Sequence, residues 1–192
     1  MIEKDPRFRP AFEFAKKAHG SQLRESINVP YIEHPMKVAE IIYHVLLEND
    51  KQLLDSDEGK SIIEAAFLHD TIEDTDTNYE TLLNFFGKRT ADLVLELTSD
   101  KNIEKGYKDE LGWFKGRVEF MSKKMTEMSS TALLLKLADR LHNILDSKLS
   151  DQSFMNRYIR ETRLIARNIS ERIVHESKPH QILFERLLAE LQ

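Results

Sequence analysis

Apolar residues recur three and four positions apart through almost the whole of this chain, and six glycines and five prolines in 192 residues leave few places to turn. That period is the signature of helices with one buried stripe, and no segment alternates as a strand. The pattern predicts an all-α fold, a compact helical bundle forming one domain over 1–192. Helices are expected over about 6–19, stopped by Gly20, and from Pro35 with a stripe of Val38, Ile41, Ile42, Val45 and Leu46. After a polar loop at 55–59, a third should run unbroken over 61–75, and a fourth over 77–86 with Thr77 and Glu80 as capping box and Gly87 as stop. Others follow over 88–98, 113–128, 130–146, 152–173 and 179–191, while the charged stretch 99–112 reads as a connection without assigned structure.

Composition narrows the function classes. A net charge of −5 gives no basic field of the kind that draws proteins onto nucleic acid. Without cysteine there can be neither disulfides nor thiolate metal sites. The charged start MIEKDPRFRP has no apolar signal region, and no apolar run reaches the roughly 20 residues that span a bilayer. A cytoplasmic protein bound to neither nucleic acid nor membrane is expected, its oligomeric state left open.

Chemistry concentrates at His69-Asp70-Thr71-Ile72-Glu73-Asp74, directly after the apolar run Ala65-Ala66-Phe67-Leu68. On a continuous helix at about 100° per residue, positions 69, 70, 73 and 74 share one sector. Three carboxylates and an imidazole crowded there repel unless a cation compensates, so a divalent metal is an economical explanation. The solvated end of an amphipathic helix would read similarly. Two further segments favour the metal: Tyr31-Ile32-Glu33-His34-Pro35, and Lys136-Leu137-Ala138-Asp139-Arg140-Leu141-His142-Asn143, where Asp139 and Asn143 point one way from an otherwise apolar helix. Lys136 and Arg140 are expected to neutralise Asp139 rather than serve a ligand. His19, His44, His142, His175 and His180 are given no chemistry, and Trp113, Phe85 and Phe86 are expected in the core.

In order, HP at 34–35, HD at 69–70 followed by ED at 73–74, and LADR at 137–140 followed by Asn143 resemble the signatures of RelA/SpoT-type HD hydrolase domains. AFEFAKKAHGSQLR, Phe86-Gly87 and LTSDK resemble the same family, so that the likeness covers roughly 11–146. The resemblance implies metal ligation by His34, His69, Asp70 and Asp139, with Mn²⁺, Fe²⁺ or Mg²⁺ suited to imidazole and carboxylate and Mn²⁺ placed first. It makes Glu73 and Asp74 the pair that activates water, and Arg24, Asn143, Lys101 and Tyr158 substrate contacts. The implied reaction is metal-dependent removal of the 3′ pyrophosphate of the alarmone ppGpp or pppGpp, leaving GDP or GTP.

Glu25 departs from the family, where a basic residue often follows the arginine, and 102–129 is longer than in the small stand-alone members. No stretch after Ile173 would hold a synthetase or regulatory domain, so hydrolysis alone is expected. The competing readings are an HD phosphohydrolase acting on another nucleotide such as NADPH or ppApp, and a helical module that binds nucleotide without turnover.

Overall fold

In the computed structural model, which describes residues 2–24 and 28–192, the chain divides into two compact units, 1–98 and 99–192. Both are built of helices. In the first, a 3-10 turn at Ile2–Lys4 precedes α1 (Arg9–His19), and a hairpin of two-residue strands, β1 (Leu23–Arg24) and β2 (Val29–Pro30), pairs Leu23 with Pro30 and Arg24 with Val29. Then come α2 (Glu33–Asn49), α3 (Lys51–Leu54), α4 (Asp57–Leu68), α5 (Thr71–Asp74) and α6 (Tyr79–Leu97). The hairpin escaped the sequence reading because two residues cannot show an alternation.

Helix α4 is the axis of this unit and packs against α1, α2 and α6. Every residue from Ile62 to Leu68 is buried, as expected of a helix covered all round. Its one buried carboxylate, Glu64, accepts from Thr90 Oγ1 at 3.0 Å and pairs with Lys60 at 3.3 Å. The expected loop at 55–59 is in part the first turn of α4, because Ser56 Oγ accepts from Gly59 N and caps it. Asn78, not Thr77, caps α6, taking the Thr81 amide at 3.0 Å. Gly87 breaks α6 as expected: with φ 80° it lies in the region that favours glycine.

The second unit holds α7 (Lys101–Leu111), α8 (Trp113–Glu127), α9 (Ser130–Ser147), α10 (Gln152–Val174) and α11 (Lys178–Glu190). Helix α7 occupies the stretch to which no structure was assigned. It has almost no apolar stripe: Glu104 is its buried residue, and Ile103 is exposed. Other forces hold it. Asp100 caps it through the amides of Asn102 and Ile103, Glu104 pairs with Lys108 at 2.7 Å and Arg117 at 2.6 Å, and α8 comes so close that a Cβ on Gly116 would stand 2.3 Å from the Tyr107 carbonyl oxygen. At the far end of α8, Arg172 donates to the carbonyls of Met125 and Thr126, which have no partner inside the helix.

Helix α9 is to this unit what α4 is to the first, with Ala132–Leu135 and Leu137–Ile144 almost wholly buried apart from Asn143. A charge network ties it to α10. Arg140, 2% exposed, donates to Glu161 at 3.1 Å and Thr162 at 2.9 Å, and Glu161 also accepts from Arg117 Nε at 3.1 and 3.2 Å. Arg140 is therefore partnered by Glu161, correcting the expectation that it neutralises Asp139. Removing one member of a buried ion pair strands the others, so Glu161→Gln should destabilise the protein by about 3–5 kcal/mol. Urea denaturation measures this, and a loss below about 1 kcal/mol would show that the network is relaxed by water.

Candidate active site

The site of the first unit begins where α4 stops. Helix hydrogen bonding lapses at His69 and Asp70 and resumes in the single turn of α5, so 61–75 is not the continuous helix expected. Both residues keep right-handed helical backbone angles, φ −58°, ψ −29° and φ −98°, ψ −4°, which preserves the rough ordering of their side chains. Side chains cause the lapse. His69 Nδ1 bonds the Ala66 carbonyl at 2.9 Å and Thr71 Oγ1 donates to that of Leu68 at 2.7 Å, drawing the polar groups back over the end of α4.

That bond commits the His69 Nδ1 proton to Ala66 and turns Nε2 the other way. Nε2 faces His34 Nε2 at 3.2 Å, from the first turn of α2, and Asp70 Oδ2 at 3.2 Å. His34 Nε2 stands 3.6 Å from the same oxygen. Ligands about 2.1 Å from a divalent ion at roughly 90–120° to one another stand about 3.0–3.6 Å apart, so these three donors fit one. Both imidazoles are buried, and nitrogen and oxygen donors without sulfur suit Mn²⁺, Fe²⁺ or Mg²⁺.

Glu73, half-buried, and Asp74, exposed, lie on α5 immediately beyond. The structure adds a residue that the sequence reading passed over within its own motif: Tyr31. Its hydroxyl lies 2.8 Å from Asp70 Oδ2 and 2.9 Å from Asp74 Oδ2. Burial, followed by the charges of Asp70 and Asp74, pushes the phenol far above its ordinary range and keeps it a donor. The Arg24 guanidinium lies 5.7 Å from the centre of the Tyr31 ring, and His19, given no chemistry above, stacks on that ring at 4.5 Å. A lone tyrosine is read as core by default, and only its place in the run ending His34-Pro35 pointed here. Glu25 lies outside the described residues.

In the second unit, Asp139 is 5% exposed, paired with Lys136 at 2.7 Å and accepting from Asn143 at 2.5 Å. The neutralising role expected of Lys136 is thus observed. Tyr158 on α10 is half-buried, stacked on Phe154 at 6.0 Å and 5.3 Å from the Arg140 guanidinium. Lys101 is exposed at the start of α7. None of the three expected core aromatics is fully buried: Trp113 is 49% exposed beneath Lys108 and Arg157, Phe85 is 71% exposed beside Phe14, and Phe86 is half-buried against the same Phe14 ring. His44 and His175 lie on the surface. Among the described residues, no helix is long and apolar enough to cross a membrane.

Residues 11–172 match the family model described as HD domain. The chain is 36% identical over 134 residues to guanosine-3′,5′-bis(diphosphate) 3′-pyrophosphohydrolase MESH1 of Danio rerio, spanning 69% of this chain and 64% of that protein. The MESH1 of Xenopus tropicalis is 34% identical over 139 residues, 72% of this chain and 68% of the relative. A guanosine-3′,5′-bis(diphosphate) 3′-pyrophosphohydrolase of Aquifex aeolicus is 38% identical over 136 residues, which are 70% of this chain but 17% of that much longer protein. A solved structure described as a metazoan ortholog of SpoT that hydrolyzes ppGpp and plays a role in starvation responses has the same fold, with TM-score 0.73, 24% identity, and coverage of 96% of this chain and 95% of the other. On the breadth of the family match and the span shared with the Xenopus relative, the chain belongs to the HD-domain family and groups with the MESH1 proteins.

Proposed function

We propose that this chain is a metal-dependent cytoplasmic enzyme that hydrolyses ppGpp and pppGpp, adding water and releasing pyrophosphate from the 3′ position to leave GDP or GTP. The observation that carries the reading is the convergence of His34, His69 and Asp70 beside the acidic pair Glu73 and Asp74. The names of its relatives supply the substrate. Asp139 is proposed as the fourth ligand on the resemblance, and Mn²⁺ as the native metal on the donor set.

When bound, a divalent ion lowers the pKa of water and stabilises charge on phosphoryl oxygens. The chain's own residues do the rest. Glu73 and Asp74, carboxylates on one turn, take the proton of the attacking water and orient its oxygen toward phosphorus. Arg24 can lie against the purine and reach a phosphate, because a guanidinium is both planar and cationic. Asn143, Lys101 and Tyr158 are proposed to meet the sugar and phosphates.

Exhaustive chelation should abolish turnover and Mn²⁺ should restore it. Mn²⁺ at 100 times its Kd should also stabilise the fold by about 2.7 kcal/mol, seen as a raised Tm, since the ligand binds the native state. Full activity in metal-free protein would end the proposal.

Glu73→Gln keeps shape but loses the proton acceptor, so kcat should fall by at least about 100-fold while Mn²⁺ still binds. Asp139→Ala should weaken Mn²⁺ itself. The reverse pattern, metal lost with Glu73→Gln and kept with Asp139→Ala, would exchange the two roles, and a Glu73→Gln variant as active as wild type would remove Glu73 from the chemistry.

A further inference from the structure

We infer that Tyr31 is a positioning residue whose hydroxyl joins the metal ligand Asp70 to Asp74 and holds the two carboxylates at one fixed spacing. This deepens the proposed function and rests on its assignment of Asp70 and Asp74.

A phenol has one proton, yet two carboxylate oxygens lie within 2.9 Å of this one. The Asp70 oxygen it reaches, Oδ2, is the oxygen that faces both imidazoles. A carboxylate oxygen has two lone-pair directions, so it can accept from Tyr31 and still offer a pair toward His34 and His69. The contact therefore selects which oxygen of Asp70 turns into the cluster, and the single phenolic proton, shared between the two carboxylates, ties Asp74, the outer member of the set, to the same hydroxyl. Without that contact, Asp70 and Asp74, two like charges one helical turn apart, would be driven apart.

The ring is held well enough to serve. Tyr31 N donates to the Gln22 carbonyl at 2.9 Å, extending the hairpin ladder, and its carbonyl accepts from His34 N at 3.0 Å, so the residue links the hairpin to the first turn of α2. His19 stacks on one face at an interplanar angle of 23°, and is itself steadied by Gln22 Oε1 at 2.8 Å. His34 meets the ring edge-on at 6.2 Å. Groups that orient metal ligands in this way are commonly worth 10- to 100-fold in metal affinity or activity.

The test is Tyr31→Phe, which removes the hydroxyl and keeps the ring against His19. Mn²⁺ affinity of chelated protein is measured by calorimetry, and ppGpp turnover at saturating Mn²⁺ by steady-state kinetics. Mn²⁺ affinity should fall about tenfold or more, and kcat should fall about tenfold or more with KM within about twofold, the scale expected of an orienting contact. The Tm of the metal-free variant should match wild type, which separates positioning from a structural role. The inference is overturned if Mn²⁺ affinity or kcat stays within twofold of wild type, or if the metal-free Tm drops and both losses are recovered at lower temperature. Should wild type bind Mn²⁺ but leave ppGpp intact, the substrate assignment fails, and the affinity measurement alone then decides the role of Tyr31.

Discussion

Two imidazole nitrogens and a carboxylate oxygen turned toward one point, with edges of 3.2, 3.2 and 3.6 Å, are the arrangement on which the rest of the first unit depends. Lone pairs so placed repel, and the arrangement is held together by what lies behind it. His69 is fixed by a bond to the last turn of α4, His34 by the first turn of α2, and Asp70 by Tyr31. Burial of α4 on every side makes that last turn rigid, because none of its side chains can move without disturbing α1, α2 or α6. Packing thus positions the donors, and the donors make the site.

The second unit solves a related problem differently. A buried carboxylate at Asp139 is tolerated because Lys136 and Asn143 sit one helical turn to either side. Its neighbour Arg140 is committed elsewhere, to Glu161, which also gathers Arg117 from α8. Through Glu104, the same Arg117 anchors the charged helix α7, so a continuous set of ion pairs runs from α7 to the helix that carries Asp139. Electrostatics secures there what the apolar stripe of α7 could not.

Most of the helices, and the cluster of His34, His69 and Asp70 that could hold a metal, were legible because period and motif are local properties. Gly87 could be read as a stop, since it supplies the positive φ that ends the first part of α6. What escaped was tertiary. Helix α7 offers only Ile103, Tyr107 and Leu111 as an apolar period, the first of them exposed, and a close approach at Gly116 and the pairs to Glu104 hold it. The lapse at His69 and Asp70 comes from side chains bonding back to carbonyls, invisible on a helical wheel. Tyr31 gains its meaning only from Asp70 and Asp74, some forty positions away. Residue type alone puts Phe85 and Trp113 inside, yet both stand exposed with cations or other rings beside them.

Product identification tests the central claim most directly. Purified chain with Mn²⁺ is offered ppGpp, pppGpp, ppApp and NADPH in parallel, and the products are resolved by anion-exchange chromatography. The account predicts pyrophosphate with GDP from ppGpp and pyrophosphate with GTP from pppGpp. Orthophosphate from NADPH, with both guanosine substrates left intact, would contradict it.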